Sequence, residues 1–193
     1  MRRLMTSALA VTAVSAGILL AGPLSPARAQ APQAPPAGGP AVAAPTYVSL
    51  SLEQTVNRSA DDVWKRIGKY CDIGEWLQMP CTITSGKDGE LGAVRSVASE
   101  ILVGRTTHSY TYTQPVRNDR PHNMYHGTLA VRPLGPTTSV IVYELVWDNS
   151  MLADEAGRQA DVSRRRTTFM RALDNMKILA EGGTLPPKPA GPQ

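Results

Sequence analysis

Residues 59–81 constrain the fold more than any other stretch. SADDVWKRIGKYCDIGEWLQMPC reads as two short helices in a chain whose other elements are strands and one long terminal helix. Ser59 is a preferred N-cap, and Asp62, three positions on, completes a variant of the capping box and complements the helix dipole. Val63 and Ile67 lie four apart, with Trp64 beside them, so this helix has one apolar face; Gly68 stops it. Asp72 is positioned to cap a second helix carrying Ile73, Trp76 and Leu77, and Pro80 ends that helix. The only two cysteines of the chain, Cys71 and Cys81, bracket it. What the protein does depends on how this helical insert sits against the sheet.

Whether those cysteines pair depends on the compartment. Arg2 and Arg3 precede an apolar run from Leu4 to Ala21, and Ala27-Arg28-Ala29 fits an A-x-A cleavage site, so residues 1–29 are predicted to be a secretory signal peptide. The run is short for a membrane span and breaks at Pro23, so no stable span is expected after cleavage. No cysteine follows it to make a lipoprotein, and the rest of a twin-arginine motif is missing, so Sec-type export is favoured. The expected location is periplasmic or secreted. The whole chain carries 20 basic and 16 acidic side chains; losing Arg2, Arg3 and Arg28 leaves 17 against 16, a net charge of +1. Nucleic acid is thereby excluded as an expected partner. Outside the cytoplasm Cys71 and Cys81 can form a disulfide, closing a loop of about ten residues worth roughly 2–3 kcal/mol in the chain-entropy model. Two buried thiols are the alternative. Two thiols ten apart lack zinc-site spacing, so no metal is expected.

Residues 30–45, rich in Pro and Ala and without charge, read as a disordered linker, and 182–193 as a disordered tail; the folded domain is expected over 46–181. Tyr47 to Val56 alternates as a half-buried strand. After the helical insert the pattern is β: Thr82–Ser85, a turn at Gly86–Gly89, a pair at Ala93–Ala98 and Ile101–Val103, then Thr106–Gln114. Asn118–Pro121 reads as a turn, Met124–Arg132 as a strand, Pro133–Thr137 as another turn, and Ser139–Trp147 as the last strand. Short connections imply an antiparallel meander. Asp154 to Ala180 is helical, with Val162, Phe169, Leu173, Met176 and Ala180 at helical spacing. Arg164, Arg165, Arg166 and Arg171 fall mostly off that stripe and read as a solvated face with acidic neighbours such as Asp161. The fold class is α+β: a curved antiparallel sheet of about seven strands whose concave face is covered by the long C-terminal helix.

In order and in residues, the chain resembles the START/Bet v 1-like (SRPBCC) superfamily in its polyketide cyclase/dehydrase-type branch, whose fold is the helix-grip. The matching residues are Val63-Trp64, Ile73, Glu75-Trp76, Cys81 opening the next strand, Gly92-Ala93-Val94-Arg95, Tyr125 and Gly127-Thr128-Leu129, followed by the final amphipathic helix. Many members carry His-Pro after the tryptophan; here Leu77-Gln78 follow Trp76, so the resemblance does not carry a polar role over to that end of the pocket. The resemblance implies a cavity for an apolar ligand between sheet and C-terminal helix. The candidate lining residues are Trp76, His108, Tyr110, Tyr112, Tyr125, Tyr143 and Trp147, with Phe169, Leu173 and Met176 from the long helix. Aromatic bodies with polar tips suit a small-molecule pocket, although alternating aromatics also make ordinary core.

No catalytic constellation stands out. His122 and His126 are four apart, about 13 Å along an extended strand, too far to share a metal. Glu144 alternates to the face opposite Tyr143, Glu100 lies near a hairpin, and no charged pair is expected inside the cavity. His108, beside two tyrosines, is the one general acid/base candidate. The reading is an exported binding or carrier protein for a hydrophobic small molecule or lipid, a monomer or weak dimer without cofactor. The alternative is a cyclase/dehydratase-type enzyme acting on a polyketide-like or other apolar substrate. A third is an interaction module with a filled core.

Overall fold

Leu50, Leu52 and Val56 alternate with polar residues, and the strand they form, β1 (Tyr47–Val56), buries that face and exposes the other. The computed structural model describes residues 44–117 and 120–188. The expected signal peptide and all but the last two residues of the linker lie outside them, as do residues 189–193 of the tail. Six more strands follow: β2 (Ile83–Ser85), β3 (Val94–Arg95), β4 (Glu100–Thr106), β5 (Ser109–Thr113), β6 (Asn123–Gly135) and β7 (Thr138–Asp148). They form one antiparallel sheet in the order β1-β7-β6-β5-β4-β3-β2. The first strand thus pairs with the last, from Tyr47 opposite Asp148 to Val56 opposite Ser139. Asp148 locks the junction, its Oδ1 accepting from the Thr46 amide at 2.8 Å.

Three helices complete the domain: α1 (Ala60–Ile67), α2 (Ile73–Trp76) and α3 (Glu155–Ala180). This is the expected α+β helix-grip architecture, with a curved seven-stranded sheet and a long C-terminal helix. Register shifts between Leu102 and Gly104, Asn123 and His126, and Pro133 and Gly135 are the bulges that bend such a sheet. Ser59 caps α1, its hydroxyl accepting from the Asp62 amide at 3.2 Å and donating to the Asp62 carboxylate at 2.7 Å. Asp72 does not cap α2: its carboxylate accepts from the Lys69 amide at 2.8 Å and so organises the preceding turn. Cys71 and Cys81 form a disulfide with Cα atoms 5.6 Å apart, joining the turn before α2 to the approach to β2. Asp154 caps α3 through the Gly157 amide. Residues 182–188 continue past α3 rather than dangling: Leu185 packs on the core, and Gln78 donates to the Pro186 carbonyl at 2.7 Å.

Three boundaries differ from the sequence reading. Thr107 and His108 form the turn between β4 and β5 and are not part of a strand. No Gly, Pro, Asn or Asp marks that turn, so composition gives no signal. Between β3 and β4 the ladder stops after two residues, because Ala98 and Ser99 take φ of 51° and 56° in a tight turn usually made by Asn-Gly. Pro133 does not end β6; it sits at a bulge, where a missing amide is tolerated.

Candidate functional site

The concave face of the sheet is aromatic. Tyr112 and Tyr143 project from β5 and β7, and their hydroxyls hydrogen-bond each other at 2.9 Å. Tyr112 lies flat across Gly127 of β6, directly opposite it in the ladder; a Cβ there would stand 2.3 Å from the phenol carbon and oxygen. Glycine at 127 is what admits the ring. Trp76 of α2 meets Tyr143 edge-on at 5.9 Å, and Phe169 of α3 lies 4.5 Å from the same ring. Leu173 and Met176 close the layer from α3, and Tyr125 and Trp147 continue it along β6 and β7 at 6.5 Å from each other. Burial raises the hydroxyl pKa of Tyr110, Tyr112 and Tyr143, and pushes that of Tyr125 up to about 12.

Nine of the ten sequence-predicted site residues therefore meet in one core: Trp76, Tyr110, Tyr112, Tyr125, Tyr143, Trp147, Phe169, Leu173 and Met176. His108 does not join them. At the hairpin tip its Nε2 pairs with the exposed Asp61 of α1 at 2.6 Å, and its ring leans on Trp64 at 6.4 Å. Trp76 is completely buried, while its indole Nε1 has no hydrogen-bond partner among the described residues.

Polar groups that the sequence reading did not assign to the interior form a continuous chain through it. Arg95, wholly buried, donates through Nε to Glu100 Oε2 at 2.7 Å and through Nη1 to the Tyr70 carbonyl at 2.5 Å. Its guanidinium lies over the rings of Tyr70 and Tyr112, 4.2 and 4.7 Å from their centroids. Burial opposes the arginine's charge, but Tyr110, Glu100, Tyr143 and Tyr112 all favour it, and its pKa stands above the ordinary value; burial also lifts the Glu100 carboxyl, against the pull of Arg95. Gln114 Nε2 donates to Glu100 Oε1 at 2.8 Å and its Oε1 accepts from His122 Nε2 at 2.9 Å. His122 Nδ1 in turn accepts from Arg165 Nη2 at 3.0 Å. With Gln114 Oε1 accepting at Nε2 and Arg165 donating at Nδ1, His122 is the neutral Nε2–H tautomer. Burial first, then Arg165 and Arg120, lower its pKa to about 4. Arg165 also donates to the buried Asp161 at 3.1 Å, which accepts from the Trp147 indole at 2.9 Å. The Arg165 guanidinium lies 4.8 Å from the Trp147 ring and 4.9 Å from Tyr125.

The expectation of no charged pair inside the cavity is corrected, because Arg95 and Glu100 are buried together against its predicted tyrosines. Arg95 was visible in the Gly92–Arg95 strand start, and Glu100 three residues after Val97, but only the tight turn at Ala98-Ser99 places them opposite each other. The Arg164–Arg166 run is solvated at Arg164 and Arg166, whereas Arg165 turns inward and Asp161 is buried. His122 and His126 do not share one face, because Met124, at φ 51°, breaks the alternation between them.

Among the described residues, hollows open beside this core at three places. One of about 330 Å³ lies between α1, β4 and β5 and is bordered by Trp64, Tyr70, Leu102 and Tyr110. A second, also about 330 Å³, follows the α2–α3 seam at Trp76, Leu77, Thr168 and Ala172. A third of about 320 Å³ lies between α3 and the β5–β6 connection, with Gln114, Arg120, His122, Arg164, Arg165 and Phe169 on its walls. Among the described residues no three His, Cys, Asp or Glu side chains converge where a metal ion would sit.

Comparison with known proteins follows the fold. Residues 47–181 match the model of the family described as polyketide cyclase/dehydrase and lipid transport. The chain belongs to that family. No curated protein matches it. Among solved structures, a protein from Nitrosospira multiformis is 19% identical with a TM-score of 0.55, covering 67% of this chain and 94% of its own. The Zhui aromatase/cyclase from Streptomyces is 14% identical with a TM-score of 0.54, covering 72% and 100%. Norcoclaurine synthase from Thalictrum flavum, at 14% identity and a TM-score of 0.53, covers 72% and 97%. At these identities the likeness is one of fold. No helix among the described residues of this family member is long and apolar enough to cross a membrane.

Proposed function

We propose that this family member is an exported binding or carrier protein for a hydrophobic small molecule or lipid, taken up between the sheet and α3. One observation carries the reading. Trp76 is wholly buried at the α2–α3 seam, beside a hollow of about 330 Å³, with an indole N–H that no described group accepts. A buried unpaired donor costs about 1–3 kcal/mol, and an apolar ligand with one acceptor relieves that cost while covering aromatic surface. Hollows of this size reach the lower bound for drug-sized ligands. The Cys71–Cys81 disulfide and the apolar N-terminal sequence with its A-x-A site support export to an oxidising compartment, the periplasm or beyond.

Native mass spectrometry of protein from its own host is expected to find a bound organic molecule, and a fluorescent lipid probe is expected to bind. Trp76→Phe, which removes the indole N–H, should weaken the probe about fivefold. A protein that carries nothing and binds no probe sinks the reading.

A second reading, a cyclase/dehydratase-type enzyme, is favoured by His122 and not by His108. His122 borders the third hollow and stays neutral at pH 7, as a general base requires. Both its nitrogens are engaged, so Arg165 must release Nδ1 before it takes a proton. Turnover of an apolar substrate that survives His122→Gln would reject this role.

A further inference from the structure

The third hollow differs from the other two in the charge on its walls. Arg120, Arg164 and Arg165 all border it; Asp161 behind them already accepts from Trp147, Arg164 and Arg165, and Glu100 acts on Arg120 from the interior. Among the described residues its walls carry three guanidiniums and no carboxylate, a local excess of positive charge. That excess acts on the interior: Arg165, Arg120 and Arg164 each disfavour protonation of His122 at the inner wall. The first hollow also has cations, but its Lys65 and Lys69 are exposed amines on flexible stems, and Arg105 is spent on the Gly89 carbonyl. In the third hollow the fork is held in place. Asp161 fixes Arg165, and the Tyr125 and Trp147 rings lie beneath its guanidinium, so little side-chain entropy remains to be lost when an anion arrives. Thr168 borders both the second and the third hollow, and Phe169 gives the third an apolar wall facing the aromatic core.

Resting on the carrier reading above, we propose that this hollow seats the anionic head of an amphiphile, a carboxylate or a phosphate. Arg120, Arg164 and Arg165 are its charge partners, and its chain starts against Phe169. Arg165 already donates to Asp161 and His122 and so contributes its charge, while either head can accept from the neighbouring guanidiniums. The apolar remainder of the ligand runs past Thr168 into the α2–α3 seam beside Trp76. The site thereby selects amphiphiles by their heads while the core accepts their chains.

The test is isothermal titration of dodecanoate, dodecyl phosphate, dodecanol and inorganic phosphate into the full domain. The expected result is that one or both anionic amphiphiles bind at least about tenfold tighter than dodecanol, as a charged hydrogen-bonded contact gives. In Arg120→Gln/Arg164→Gln that ratio should fall toward one. Arg166→Gln, which removes the same kind of charge just outside the hollow, should keep it. Which of the two heads binds tighter assigns carboxylate or phosphate. Equal binding of dodecanol and both anions, an unchanged ratio in the double variant, or an equal loss in Arg166→Gln overturns the head-group site and leaves the carrier reading standing. Binding of inorganic phosphate as tight as dodecyl phosphate overturns the amphiphile. If none of the three chains binds, both readings fall.

Discussion

The domain holds two arginines in nearly the same dress. Arg95 and Arg165 each lie over aromatic rings, each pairs with a buried carboxylate, and each closes one end of the same hydrogen-bonded chain. They differ in access. The Arg95 side chain is 0% exposed and that of Arg165 is 13%, beside a hollow. Arg95 touches only groups that folding brings together, so its charge serves the fold. Arg165 shares its carboxylate with Arg164 and faces space. Identical chemistry thus becomes structural or receptive according to whether the last few square ångströms are closed.

The sharpest way to break this comparison is to remove each cation. Arg95→Met strands Glu100 in a dry interior and should cost about 3–5 kcal/mol in urea unfolding, much of it recovered in Arg95→Met/Glu100→Leu. Arg165→Met leaves Asp161 with Arg164 and Trp147, so a smaller loss of about 1–3 kcal/mol is expected. Equal losses would erase the distinction. Acid sharpens it further. The folded pKa of His122, about 4, lies below its unfolded value near 6.5, so the folded state resists a proton the unfolded chain accepts. Stability is then full above about pH 6.5 and declines as pH falls toward 4, by roughly 1–3 kcal/mol. His122→Gln should flatten that slope in a series of unfolding curves from pH 7 to 4. The smallest effect belongs to the turn that sets Arg95 opposite Glu100: Ala98→Gly relieves a left-handed backbone at φ 51° and should stabilise by up to about 1 kcal/mol, read as a raised Tm.

The layered plan was legible because it rests on local periodicity. Leu50, Leu52 and Val56 on β1 alternate plainly, and Phe169, Leu173 and Met176 recur at helical spacing on α3. Ser59 and the cysteine pair announced the helical insert as clearly. The aromatic core was legible for the same reason, since Tyr110, Tyr112, Tyr143 and Trp147 occupy alternate positions. The polar chain was not. Each of Arg95, Glu100, Gln114, His122, Asp161 and Arg165 reads alone as a surface residue, and only pairing across strands and onto α3 gives it a partner. Two departures from alternation, the Ala98-Ser99 turn and the Met124 bulge, then decide which of them point inward. The first carries no glycine or asparagine, and at the second the left-handed residue is Met124 rather than its neighbour Asn123. His108 was misplaced by the complementary failure, because a turn built from Thr107 and His108 looks like strand.

The pairing of β1 with β7 also sets a timetable. Thr46 and Asp148 meet across 102 residues, and ten successive rungs of the ladder depend on that meeting. Contacts so distant along the chain close late, after most of the loop-closure entropy has been lost. Until residue 148 is available the ten residues of β1 have no partner strand, and their apolar side stays open to solvent and to other chains. A polypeptide threaded N-terminus first through a narrow pore therefore keeps its leading strand unmated for nearly the whole passage. It completes the sheet only as the last strand arrives.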